Sequence, residues 1–420
     1  MFYQSTLLDN GIQVISEQMD AVHSVSLGVW FRVGSRDERP QQLGLSHFME
    51  HMMFKGTPSR DALAISMEFD AMGAELNAFT SKEYTCYYAR FVDEHLDKAT
   101  EVLSDMVLRS LFDQSDIDSE REVVIEEIAR SEDTPDDHIY DLFTQAMFPT
   151  HQLGSPILGT RQIVGGFTHQ DCVAYHQRHY AAANCVVVAC GNVDHDLLVR
   201  TCAGYLGSMP VGQHNPRDLV IEPARLNFSF MEKDTEQAHL LFGMPGIALG
   251  DDDRFAATLL EIALGGGMSS RLFQEIREKR GLAYAVHAGS IPYLNASQFS
   301  VYAGTRPTNL SEVIGIIDHE LRIAMEKGLT EEELNRVREY TIGLTVLGME
   351  STRSRMTRLG KNAVSDLPLF SLDEILDRYR TVTLADTQRV ADRILSQKPT
   401  LAIISPLKTD ALEQEFSYLL

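Results

Sequence analysis

The sequence predicts an α+β protein made of two structurally similar, duplicated domains. Two observations predict the duplicated α+β class. Strand runs and helix runs alternate within each half of the 420 residues. The pattern of the first half then returns in the second at a period of about 210 residues, far above the ~20–50 of a solenoid. Three prolines and sparse apolar periodicity in SMPVGQHNPRDLVIEPAR mark the joint. The expected division is 1–212, a linker at 213–226, and 227–420.

Each element has a local reason. LLDNGIQVISEQMDAVHSVSLGVWFRVGS reads as two strands, the first interrupted by a turn at Asp9-Asn10-Gly11 and the second alternating apolar residues. Helices are predicted over 43–54 and 61–72, the latter closed by Gly73. AELNAFTS and EYTCYYARF form a strand pair turning near Lys82. Amphipathic periodicity then predicts helices over 93–110, 116–131 and 136–147. A helix over 169–179, the strand NCVVVACG and a helix over 194–206 complete the half. In the second half, strands are predicted near 226–232, 238–244, 283–290 and 296–304, with helices over 251–264, 269–279, 307–327 and 330–349.

Composition narrows the function. Lysine and arginine number 37 against 60 acidic residues, a net charge of -23, which repels nucleic acid and anionic membrane surfaces. No run approaches ~18 apolar residues, so no membrane span is expected, and the first residues lack the pattern of a secretory signal. The five cysteines are odd in number and contain no C-x-x-C, which predicts free thiols and a reducing compartment, the cytoplasm.

The strongest local signal is His47-Phe48-Met49-Glu50-His51. On a helix, residues four apart leave the axis about 40° from each other, so both imidazoles share a face and can share a Zn²⁺. Glu50 lies three residues after His47, where it can reach the open coordination position and move protons without ligating. This H-x-x-E-H order is the reverse of the commoner H-E-x-x-H. A third ligand is needed, and the helix IDSEREVVIEEIARSED carries Glu120 and Glu127 on its apolar stripe beside Ile117, Val124 and Ile128. Spacing alone leaves Glu120, Glu122, Glu126 and Glu127 open. The second half reads AATLLEIALGGGMSSRLFQEIREKRGLAYAV at the corresponding place and has no such motif. Its glycine triplet lacks the spacing and the lysine of a phosphate loop.

With these motifs the chain resembles the pitrilysin, insulinase and mitochondrial processing peptidase family of zinc metallopeptidases, over nearly its whole length. GLSHFMEHMMFKGT resembles the zinc helix and REVVIEEI the downstream acidic helix, and GAELNAFTSKEYTCYY, GSPILGT, YAAANCVVVACGNVD and GGGMSSRLFQEIREKRGLAYAV follow in order. The resemblance implies that Glu127 is the third ligand, Glu120 an acid supporting the site, and Glu50 the catalytic base. It implies that the strand around Asn77 and Ala78 pairs with an extended substrate, and that Arg277 and Tyr284 contact substrate. It further implies that the two domains form one half-shell of a clamshell chamber, with one Zn²⁺ per chain, endopeptidase activity on peptides or unfolded segments, and a homodimer in which Arg277 and Tyr284 serve the partner's zinc site. The acidic balance suggests basic peptides as substrates. The rival expectation is a non-catalytic core subunit, but such members usually lack parts of the zinc motif that are intact here.

Overall fold

The computed structural model describes residues 2–215, 217 and 227–417. Most of the expected linker, residue 216 and residues 218–226, lies outside these described residues. Two compact units emerge, one of residues 1–129, 155–217 and 347–371, the other of 130–154, 218–346 and 372–420.

The first unit holds a six-stranded sheet of β1 (Gln4–Leu7), β2 (Gln13–Gln18), β3 (Ser24–Phe31), β4 (Glu75–Thr80), β5 (Thr85–Val92) and β6 (Cys185–Gly191), in the order β1-β2-β6-β3-β5-β4. The turn at Asp9-Asn10-Gly11 divides the first expected strand into the hairpin β1–β2, with Gly11 at φ 94. β2 and β6 run parallel; the other neighbours are antiparallel. In β3, Val25, Leu27, Val29 and Phe31 enter a core with Phe48 and Met49 from helix α1 (Leu45–Met52).

The opposite face of β3 is not solvated, as alternation alone would have it. Every residue of β3 but Ser24 is buried. Its second face meets a helix from far along the chain, Thr352–Val364, whose Met356 and Leu359 pack with Trp30, Val186 and Val188. Gly360 presses so closely on the Trp30 ring that a Cβ there would collide with it. Ser26 hydrogen-bonds Thr352 at 2.9 Å, and the buried Glu17 pairs with Arg355 and Arg358. Segment 347–371 therefore belongs with the first unit, and 130–154 with the second. In the latter, the helix Pro135–Met147 sets Ile139, Phe143 and Met147 against Leu241, Ala402 and Ile404. The domain edges drawn from sequence missed this exchange because both helices find their partners more than a hundred residues away.

The second unit repeats the sheet. β7 (Phe228–Glu232), β8 (Ala238–Pro245), β9 (Ala283–Pro292), β10 (Ser297–Thr305) and β11 (Thr400–Ser405) lie in the order β9-β10-β8-β11-β7. β11 and β7 are parallel and the remaining pairs antiparallel. Without β1, the first sheet has the same order and the same directions, with β4 and β9 as the corresponding edge strands. The two domains are thus similar α+β folds. The expected helix over 269–279 is observed as a π-helical stretch, Phe273–Glu278.

Candidate metal centre

Helix α1 begins on Gly44 at φ 92, a left-handed residue whose Cβ would meet the Leu158 carbonyl oxygen at 2.5 Å. No side chain caps this end locally. Instead the buried carboxyl of Glu38 accepts the Gly44 and Ser46 N–H groups at 2.8 and 2.6 Å, which satisfies two free donors of the helix N-terminus, while burial pushes its pKa up to about 8 despite them. Leu45, Phe48, Met49 and Met52 face the core, so the 3.6-residue period sends His47, Glu50 and His51 to the opposite side.

There they meet the long helix α2 (Gln114–Asp133). The Nε2 atoms of His47 and His51 lie 3.2 Å apart, and Glu127 Oε2 is 3.6 Å from each. A tetrahedral zinc with ligand bonds of 2.0–2.1 Å separates its donors by roughly 3.3 Å, so this triangle matches that demand. It is the only group of three such side chains able to hold a metal among the described residues. Of the carboxylates that spacing left open, Glu122 and Glu126 are exposed, while Glu120 is buried and Glu127 half-buried.

Glu120 does something different from Glu127. Its Oε1 lies 2.8 Å from His51 Nδ1, and its Oε2 pairs with Lys55. A carboxylate only accepts, so Nδ1 of His51 carries the proton and the Nε2 lone pair faces the centre. Burial raises the Glu120 pKa, but the hydrogen bonds from His51 and Lys55 outweigh it and hold the group below its usual value. For His51 burial lowers the pKa, and Glu120 with the neighbouring carboxylates reverses the balance to a raised one. Burial and the adjacent His51 push His47 down to about 3, so it is neutral and fit to donate a lone pair. Burial raises the Glu50 carboxyl despite a 2.6 Å hydrogen bond from Thr80 at the end of β4.

β4 is an edge of its sheet. Asn77 and Ala78 sit on it, and the Asn77 Oδ1 accepts the Ala78 N–H at 2.8 Å. Arg277 and Tyr284 lie in the other unit and contact each other. The guanidinium donates to the Tyr284 carbonyl at 2.9 Å and stands 4.5 Å from its ring centre, and the ring is 77% exposed. Sequence reasoning missed Lys55, Thr80 and Glu38. Lys55 lies in the turn just after α1, only four residues beyond His51, a proximity that sequence could have offered; Thr80 and Glu38 had no local signal.

Comparison with known proteins bears on this geometry. Residues 13–161 match the model for insulinase (peptidase family M16), and residues 166–340 match that for the peptidase M16 inactive domain. The chain belongs to the M16 peptidase family. A relative named an uncharacterized zinc protease, from Streptomyces coelicolor, is 43% identical over 412 residues, covering 96% of this chain and 89% of its own. A relative from Bacillus subtilis named the uncharacterized zinc protease YmxG is 38% identical over 402 residues, covering 94% and 97%. Among solved structures, a Helicobacter pylori protease superimposes with TM-score 0.89 at 22% identity, covering 96% of this chain and 99% of that one. A peptidase M16 inactive domain from Pseudomonas fluorescens gives 0.90 at 20% identity, covering 97% and 98%. No helix of the described residues in this M16 chain is long and apolar enough to cross a membrane.

Proposed function

We propose that this M16 chain is a zinc-dependent endopeptidase that hydrolyses peptides or unfolded protein segments, with one Zn²⁺ held by His47, His51 and Glu127. The observation that carries this reading is the donor triangle of 3.2–3.6 Å with the Glu50 carboxylate on the same helical face. When bound, the cation polarises the scissile carbonyl and acidifies a water.

The protein's own groups do the rest. Glu50 takes a proton from the attacking water and returns it to the leaving amine, a role suited to a carboxyl whose pKa burial raises. The Thr80 hydroxyl aims it, and Glu120, anchored by Lys55, fixes the His51 tautomer. An extended substrate adds to the edge of β4, with main-chain hydrogen bonds that tolerate varied sequence once the Asn77 side chain releases the Ala78 N–H. Arg277 and the exposed Tyr284 offer a cation and a phenol to substrate, in a homodimer where each chain serves its partner's centre. The net charge of -23 favours basic peptides. The five free, buried cysteines support a reducing compartment such as the cytoplasm.

The test is metal analysis and cleavage of a quenched peptide. Glu50→Gln should keep zinc and lose activity, and His51→Ala should lose both. A protein that binds no zinc and stays inert on resupply would leave the non-catalytic subunit as the better reading.

A further inference from the structure

The domain duplication extends to the zinc helix. Helix Arg254–Gly265 lies between β8 and β9 in chain order, as α1 lies between β3 and β4. Aligning Glu50 with Glu261 sets His47-Phe48-Met49-Glu50-His51 against Thr258-Leu259-Leu260-Glu261-Ile262. The burial sequence of residues 45–53 is then identical, position by position, to that of residues 256–264. The acid also keeps its kind of partner: Thr80 of the edge strand donates to Glu50 at 2.6 Å, and Ser290 of the edge strand donates to Glu261 at 2.5 Å. Both imidazoles are gone, replaced by Thr258 and Ile262. The acid remains.

It remains in a cavity of about 220 Å³. At ~30 Å³ per water this holds roughly seven waters, a space that an amino acid the size of leucine fills. Glu261 and the Thr258 and Ser290 hydroxyls make one polar side, and Ile247, Leu249 and Phe255 make an apolar one. Arg254 lines the same cavity, seven residues before Glu261 on the helix. That spacing puts the two on one face about 10.5 Å apart along the axis. The two charged ends of an amino acid, each with a charge-assisted hydrogen bond of ~2.8 Å, span roughly 9 Å. No cation pairs with Glu261 among the described residues, and a carboxylate kept in such a place is costly without one.

We propose that this cavity in the second domain is a binding site for a free, zwitterionic amino acid with an apolar side chain, its ammonium on Glu261 and its carboxylate on Arg254. Burial raises the Glu261 carboxyl to about 7 against the donors of Ser290, and an ammonium would favour its ionised form. The ligand belongs to the class of molecule that peptide hydrolysis ends in; that link rests on the peptidase reading, whereas the ligand chemistry of the site does not.

The experiment is isothermal titration calorimetry of the full chain with L-leucine and L-phenylalanine, beside leucinamide and N-acetyl-leucine, which each lack one charge. The expected result is saturable binding of at least one free amino acid, with both blocked derivatives at least tenfold weaker. Glu261→Gln, nearly isosteric, should weaken binding tenfold or more at an unchanged melting temperature, and Thr258→Leu should fill the cavity and abolish it. His51→Ala should bind as the parent does. Absence of binding by both amino acids would overturn the proposal, as would equal binding of the blocked derivatives or no effect of Glu261→Gln. Binding lost in His51→Ala would overturn it too, because the amino acid would then sit in the zinc domain, whatever becomes of the peptidase reading.

Discussion

Removing the Glu120 carboxylate should cost metal affinity without touching a ligand. Glu120 is buried, accepts from His51 Nδ1 at 2.8 Å and pairs with Lys55, so it supports the centre chiefly through the His51 imidazole. A hydrogen bond to a charged group contributes about 1.5–3 kcal/mol. At ~1.4 kcal/mol per decade that corresponds to roughly 10- to 150-fold in zinc dissociation constant, in line with the 10- to 100-fold typical of such outer partners. Glu120→Gln keeps an acceptor for the Nδ1 proton but drops the charge and turns its amide toward Lys55, so it should sit near tenfold. Glu120→Ala frees the ring and should sit near a hundredfold. Lys55→Met should weaken binding less than either, because Glu120 stays and merely loses its cation. In Glu120→Ala, the added Lys55→Met should do almost nothing, since the two act in series. The assay is competition for zinc against a chromophoric chelator, with circular dichroism to confirm folding. Wild-type affinity in Glu120→Ala, or full additivity with Lys55→Met, would refute the chain of support running from Lys55 to the imidazole.

Other outcomes follow from the same geometry. Glu50→Gln should lower peptide cleavage by ~10²–10⁴-fold at unchanged zinc content, and retained turnover would remove Glu50 as the proton carrier. Leu359→Ala empties a fully buried position between helix Thr352–Val364 and the sheet, and should cost about 2–5 kcal/mol in urea denaturation; a loss under 1 kcal/mol would mean that the helix does not pack there. Burial raises the Glu333 pKa, but hydrogen bonds from Arg271 and the Thr330 N–H outweigh it and bring it to about 2. Its folded pKa is depressed below the ordinary 4.5, so its stabilisation is complete above that pH and lost as pH falls toward 2. Arg271→Met should therefore flatten the decline of the urea midpoint across that window, and parallel curves would exclude the pair as a source of acid sensitivity.

Much of the centre was legible because its signals are local. Two imidazoles four residues apart and an acid between them require only a helix, and the buried positions Leu45, Phe48, Met49 and Met52 declare one. The proposed third ligand was not legible that way. Glu120 and Glu127 both lie along the stripe of Ile117, Val124 and Ile128, and which of them turns its oxygen to the histidines depends on how α2 crosses α1, a tertiary fact. Family likeness chose Glu127; spacing could not. Helix Thr352–Val364 was illegible for a related reason. Its sequence, TRSRMTRLGKNAV, is mostly polar, and its buried Met356, Leu359 and Gly360 make sense only once Trp30 lies against them. Arg355 and Arg358 look like a solvated face until Glu17, far away in β2, is seen to need them.

The duplication separates what the fold requires from what the chemistry requires. Apart from β1, both sheets keep one strand order, and α1 and its counterpart keep one burial sequence, so packing constrains them alike. Helix Glu331–Gly348 agrees with α2 as well: Ile117, Glu120 and Val124 are buried at the spacing of Leu334, Val337 and Thr341. By that spacing Glu127 corresponds to Leu344, which is 51% exposed. The differences that matter are then His47 to Thr258, His51 to Ile262, Glu120 to Val337 and Glu127 to Leu344. These differences leave the scaffold unchanged, and together they remove every donor of the proposed site and the carboxylate that orients one. A metal site is thus a small set of side chains on an architecture that persists without it. Glu261 accepts the Ser290 hydroxyl of its edge strand without any ion, so its placement in the second domain does not depend on a metal.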